Sequence, residues 1–177
     1  MQRIAQFMYV SPERFRADWA DAFNGAPSPE YPPLPRRATA GSAGYDFFAP
    51  ADFGLAPGET VKIPTGVRAR IGDGWVLMLF PRSGLGFKYR LQLNNTVGVV
   101  DADYFGAKNE GHIFIKLHNA GDRALSVRRG EAFAQGVFLP FGVTEDDEAG
   151  AERTGGFGST DPAAAHRADR AATDGGI

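Results

Sequence analysis

"TVKIPTGVRARI", Thr60 to Ile71, is the stretch that decides the fold class. Val67, Ala69 and Ile71 alternate with Arg68 and Arg70, the period-2 pattern of a strand with one face on a core and one in water. Working outward, "GWVLMLF" (Gly74–Phe80), "HIFIKLHN" (His112–Asn119) and "AFAQGVFLPF" (Ala132–Phe141) are further short apolar runs, and "LAPGET" and "RIGDGW" supply turn chemistry. Many short strands at roughly ten-residue spacing predict an all-β barrel or sandwich.

The flanks read differently. Residues 2–10 predict a short strand. "SPERFRADWADAFNG" (Ser11–Gly25) predicts a helix, with Ser11 as cap, Pro12 at the first helical position and Gly25 as stop. Phe15, Trp19 and Phe23 recur every four residues as one apolar stripe, which suits packing on the domain or on a neighbouring subunit. "GAPSPEYPPLPRR" must be an extended connector. Beyond the strand region lie the acidic run "TEDDEAGAE", the motif "RTGGFGST" (Arg153–Thr160) and an Ala-rich low-complexity tail. The expected division is 1–33 as an N-terminal extension, 34–143 as the β domain and 144–177 as a flexible arm.

Composition narrows the chemistry. A chain of 177 residues suits one domain. A net charge of -2 argues against broad nucleic-acid binding, so phosphate recognition must come from a few local cations. Without cysteine there is no disulfide, thiol nucleophile or thiolate metal site. His112, His118 and His166 lack ligand spacing. No apolar run approaches the roughly 18 residues of a membrane span, and the expected setting is soluble and cytoplasmic.

Four stretches in the β region carry polar groups where plain strand and turn need none. In "GSAGYDFFAP" Asp46 sits among aromatic residues. In "PRSGLG" Arg82 and Ser83 precede a glycine turn, either a phosphate site or a tight turn with a surface arginine. In "LNNTVGVVDADYFG" an apolar strand runs into Asp101 and Asp103, which could act as a general base, hold Mg²⁺, or simply face water. In "RRGEAFAQGVF" Gln135 must find hydrogen-bond partners, as a structural residue or as part of a site.

Taken in order, "GSAGYD", "PRSGL", "NTVGVVDADYFG", "RGEAFAQ" and "RTGGFGST" resemble the five motifs of the trimeric dUTPases, over roughly Leu34 to Thr160. The resemblance implies a jelly-roll-type β-barrel and hydrolysis of dUTP to dUMP and pyrophosphate, in a homotrimer with shared active sites. Asp101 would be the base that activates water against the α-phosphorus. Arg82, Ser83, Gly84 and Gln135 would hold the α and β phosphates, together with Mg²⁺ carried mainly by the phosphates. Asp46 would reach that ion through water or orient an arginine. Asn95 and Gly98 would frame the uracil, and Tyr104 would pack under the deoxyribose and reject a 2′-hydroxyl. From the arm, Arg153 would grip the γ-phosphate and Phe157 would stack on the base. Gly158, Ser159 and Thr160 would close over phosphate.

The sequence also departs from that pattern. "AKNEGH" (Ala107–His112) is an insertion for which a longer hairpin is the simplest expectation. Residues 1 to about 25 lie outside the resemblance, and Asp161 stands where another glycine is common. Two rival readings stay open at this point. One is a dCTP deaminase-like enzyme of the same fold. The other is a nucleotide-gated regulator that meets a protein partner through residues 107–112 or the N-terminal helix.

Overall fold

The computed structural model of the chain describes residues 2–150. It opens with strand β1 (Ala5–Tyr9) and helix α1 (Pro12–Ala22). The Ser11 hydroxyl accepts from the Arg14 N–H at 3.1 Å, and Pro12 occupies the first turn, where its missing N–H costs nothing. The helix ends at Ala22 with Phe23 as its cap, and the left-handed residue after the cap is Asn24, at a φ of 50°, one place before the expected Gly25, whose N–H bonds back to the Ala20 carbonyl at 2.8 Å. Phe15 and Trp19 are buried with Val10 in a small core of their own, against which Phe23 and Tyr31 pack.

The remaining elements are β2 (Tyr45–Phe48), β3 (Phe53–Leu55), β4 (Thr60–Pro64), β5 (Val67–Ile71) and β6 (Trp75–Pro81). They are followed by α2 (Ser83–Tyr89), β7 (Leu91–Leu93), β8 (Gly98–Val100), a 3₁₀ turn (Ala102–Gly106), β9 (Phe114–Asn119), β10 (Leu125–Val127) and β11 (Ala132–Pro140). The sheets run β2-β11-β6-β8 and β4-β9-β7, with two further pairs, β1-β5 and β10-β3. Every pairing is antiparallel, and neighbours in a sheet are mostly distant in sequence. This is the jelly-roll-type, all-β arrangement expected. Phe47, Ile63, Leu77, Ile115, Leu117 and Phe133 meet at its centre, each at most 1% exposed. Burial of each contributes about 1.5–3 kcal/mol before entropy is counted. No helix among the described residues is long and apolar enough to cross a membrane.

Thr60–Ile71 is two strands. Gly66, at a φ of 74°, turns the chain between them, where a Cβ would stand 2.9 Å from the Tyr31 ring. β4 then pairs with β9, and β5 with β1. The alternation holds: Val67, Ala69 and Ile71 are buried while Arg68 and Arg70 are not.

Two expectations need correction. "PRSGLG" is the entry to a helix and not a glycine turn, because the Leu85 and Gly86 N–H groups both bond back to the Arg82 carbonyl. "AKNEGH" is not a longer hairpin. It is a run of turns that docks α1 on the β domain. The Glu110 carboxylate accepts from the Ser11 N–H at 2.8 Å and from the Ser11 hydroxyl at 2.7 Å. His112 is fully buried, and its Nε2 accepts the Gly66 N–H at 2.8 Å. The ring proton therefore sits on Nδ1 and is donated to Asp18 Oδ2 of α1 at 2.6 Å. Gly111 turns the chain at a φ of 67°, where a Cβ would lie 2.6 Å from the Tyr104 carbonyl oxygen.

The Glu110 carboxyl is held below the usual carboxylate range, first by the Ser11 hydroxyl and then by the Ser11 N–H, both donating to its charged form. A depressed folded-state pKa means that this contribution is complete above the ordinary glutamate value of about 4.3. It is lost as pH falls through the lower folded value. Acidification below that range should loosen α1 from the domain. In a Trp75→Phe background, Trp19 fluorescence should shift to the red on acidification, and Glu110→Gln should abolish the pH dependence of that shift. A shift with the same midpoint in both proteins would show that Glu110 is not its cause.

Candidate active site

The polar residues gather in two groups. The first lies where β2, β11 and the end of β6 run side by side. Gln135 stands opposite Asp46 on one side and Phe80 on the other, and its amide donates to the Pro81 carbonyl at 3.2 Å. Asp46 Oδ1 lies 3.3 Å from Arg82 Nε. Arg82 caps α2, and Ser83 and Gly84 follow in its first turn, where backbone N–H groups have no partner within the helix. Gly44 keeps this corner open, since a Cβ there would lie 2.6 Å from the Gln135 amide oxygen. A half-exposed guanidinium held by a carboxylate, with hydroxyl and N–H donors beside it, suits phosphate oxygens.

The second group is built on the tight turn between β7 and β8. The Thr96 N–H bonds to the Leu93 carbonyl and the Val97 N–H to the Asn95 carbonyl. Asn95 and Gly98 line a cavity of about 430 Å³ with Leu79 and Leu93. Gly98 pairs with Leu79, and a Cβ on it would stand 3.0 Å from the Leu79 Cβ, a tight contact that would push the two strands apart by a few tenths of an ångström. A mostly apolar cavity edged by asparagine and strand backbone suits a flat heterocycle with a hydrogen-bonding rim.

β8 delivers Asp101, exposed, at the head of the 3₁₀ turn, where its carbonyl accepts from the Tyr104 N–H at 3.2 Å. Asp103 is exposed in the same turn. Tyr104 is only 2% exposed. Its hydroxyl donates to the His112 carbonyl and accepts from the Asn109 amide, both at 2.7 Å.

The cavity that holds Asn95 and Gly98 does not include Asp46, Arg82 or Gln135. Arg153, Phe157, Gly158, Ser159 and Thr160 lie outside the described residues. Residues 107–112 turn inward on α1 with Ala107, Gly111 and His112 buried, while Lys108 is exposed and Asn109 and Glu110 are half-buried.

Sequence reasoning missed the far wall of the cavity: Lys62, Lys116, Phe114 and Asn109. Lys62 and Lys116 stand directly opposite each other across β4 and β9, an unfavourable pairing of like charges unless an anion comes near. Lys62 is partly relieved by Asp21 at 3.7 Å and by the Phe114 ring at 4.8 Å. Each lysine alone looks like an ordinary solvent-facing strand residue, and only the register sets them face to face.

A jelly-roll β fold that carries a cavity edged by asparagine and strand backbone, and apart from it a corner whose donors suit phosphate oxygens, fits nucleotide-handling proteins as a class, and comparison with known proteins narrows it. A family model described as dUTPase matches residues 30–161. The deoxyuridine 5′-triphosphate nucleotidohydrolase of Lactococcus lactis is 46% identical over 130 residues, covering 72% of this chain and 87% of that protein. Its Escherichia coli counterpart is 41% identical over 134 residues, covering 71% and 85%. The crystal structure of dUTPase from Streptococcus mutans superposes with a TM-score of 0.60 at 36% identity, covering 78% of this chain and 98% of that one. A dUTPase from phage phi11 of Staphylococcus aureus, described with a structural Mg(II) ion, has the same fold at a TM-score of 0.60 and 22% identity. It covers 84% of this chain and 98% of its own. The chain belongs to the dUTPase family.

Proposed function

We propose that the chain hydrolyses dUTP to dUMP and pyrophosphate in the cytoplasm, with water attacking the α-phosphorus. The observation that carries this reading is the pairing of two separate groups, an amide-edged cavity at Asn95 and Gly98 and a phosphate-suited corner at Asp46, Arg82 and Gln135. A homotrimer would bring the cavity of one copy against the corner of the next. Arg153, Phe157, Gly158, Ser159 and Thr160 of an arm would complete each site.

Uracil offers acceptor, donor and acceptor along its pairing edge. Asn95 and the adjoining strand backbone would match that order, and cytosine would leave groups unpaired at about 1–3 kcal/mol each. Asp101 would orient the attacking water and take its proton. As the water oxygen bonds to the α-phosphorus, the bond to the α–β bridging oxygen breaks, and pyrophosphate leaves with that electron pair. An ordinary carboxylate is a weak base, so most of the rate must come from in-line positioning and from charge neutralisation by Arg82 and the donors of Ser83 and Gln135.

Mg²⁺ would be bound through the substrate. The hard phosphate oxygens would be its main ligands, with Asp46 reached through water. When bound, the ion would neutralise part of the triphosphate charge.

The test is pyrophosphate release from dUTP, dTTP, dCTP and UTP with Mg²⁺, with ammonia followed in parallel. Release from dUTP far above the other three supports the reading, whereas ammonia from dCTP would replace it with a deaminase. The opposed lysines make a second expectation. Lys116→Gln should raise KM for dUTP about two- to fivefold at low salt through slower capture of the anion, an effect that fades as the screening length shrinks. A KM effect independent of salt would exclude steering by Lys116.

A further inference from the structure

We infer that α1 belongs to the apparatus that holds the Asp101–Tyr104 segment, with Asp18 and Glu110 acting as positioning residues for the Tyr104 ring. The inference rests on the proposed hydrolysis of dUTP.

The contacts form one continuous chain. Arg14 Nη2 lies 2.8 Å from Asp18 Oδ1, and the other Asp18 oxygen accepts the His112 Nδ1 proton at 2.6 Å. His112 is pinned on its far side by the Gly66 N–H. Its carbonyl accepts the Tyr104 hydroxyl, which also accepts from the Asn109 amide. Asn109 is tied back to the same loop, its carbonyl accepting the His112 N–H at 3.1 Å. The adjoining Glu110 grips the start of α1 through Ser11. Arg68 secures the other flank of the 3₁₀ turn. Its Nη2 donates to the Phe105 carbonyl at 2.6 Å, and its guanidinium lies 3.6 Å from the Phe105 ring centroid.

Asn109, Glu110 and His112 all come from residues 107–112, so that six-residue loop links α1 to the turn carrying Tyr104. The family match begins at residue 30, and α1 lies wholly before it. A helix that served only to cover apolar surface would need the contacts of Phe15, Trp19 and Phe23 and nothing more. Here its one inward carboxylate ends, through a single buried imidazole, on the backbone atom that receives the Tyr104 hydroxyl. Small displacements of a positioned ring change the fit of a substrate by large factors.

The test compares kcat/KM for dUTP with kcat/KM for UTP in the full-length protein and in Asp18→Leu, Asp18→Asn and Glu110→Ala. Loss of folded protein lowers both rates by the same factor and leaves their ratio unchanged, whereas a loosened Tyr104 admits the 2′-hydroxyl and lowers the ratio. Asp18→Leu should reduce discrimination about tenfold or more. Asp18→Asn, which keeps an oxygen for the His112 proton, should stay within about twofold of the parent. Glu110→Ala, a milder change near the surface, should lose about threefold. If Asp18→Leu does not fold, Glu110→Ala decides alone. A parent protein that hydrolyses dUTP, with ratios unchanged in the folded variants and only thermal stability reduced, overturns this inference and leaves the function standing. A parent that releases no pyrophosphate from dUTP overturns both.

Discussion

Asp101→Asn should bind dUTP within about twofold of the parent while turnover falls by two or more orders of magnitude, the range that general-base removal produces. The asparagine keeps the shape of the residue and its backbone bond, in which the Asp101 carbonyl accepts the Tyr104 N–H. The segment should therefore stay folded and the cavity at Asn95 and Gly98 intact. What is lost is a group that can take a proton from water. Calorimetric binding of a non-hydrolysable dUTP analogue and single-turnover pyrophosphate release separate the two effects. Undiminished turnover would remove Asp101 from the chemistry, and lost binding would assign it to substrate capture instead.

Ending the chain at Glu152 should leave folding and assembly intact and reduce pyrophosphate release at least about a hundredfold, the scale on which charge-stabilising donors act. The physical basis is where the buried residues lie. Among the described residues the last of the apolar core are Phe133 and Ala134, and β11 ends at Pro140. Ending the chain at Glu152 leaves every one of these described core residues in place. It does remove a cation, an aromatic ring and two hydroxyls proposed to complete the site. Circular dichroism and sedimentation velocity should match the full chain, with activity alone lost. A truncated protein of full activity would show that the motif "RTGGFGST" has no part in the reaction.

Features governed by near neighbours were legible in the sequence. Ser11 and Pro12 start a helix as expected because capping is decided within three or four residues, whereas the stop falls at Phe23 and Asn24, just before the expected Gly25. The alternation from Val67 to Ile71 predicted a strand with the correct face inward. Local pattern failed where distant pairing took over. Nothing within "TVKIPTGVRARI" shows that its halves join different partners, and nothing within "AKNEGH" shows that it seizes a helix some ninety residues earlier. The site was legible in part. Asp46, Arg82 and Gln135 were singled out as polar groups in apolar surroundings and do converge, whereas Lys62, Lys116 and Asn109 carried no such signal.

By itself, then, the order of residues determined the strand and helix periods, the capped helix, and a series of polar motifs ordered as in one enzyme family. These depend on short-range sterics and hydrogen bonding, or on motif order along the chain. Only the tertiary structure decided which carboxylate meets Arg82, that two lysines confront each other beside the cavity, and that α1 is tied through His112 to Tyr104. Those contacts depend on strand register and loop docking. Both are settled by the packing of residues far apart in the chain, because a one-residue slip of a strand would turn its side chains to the opposite face.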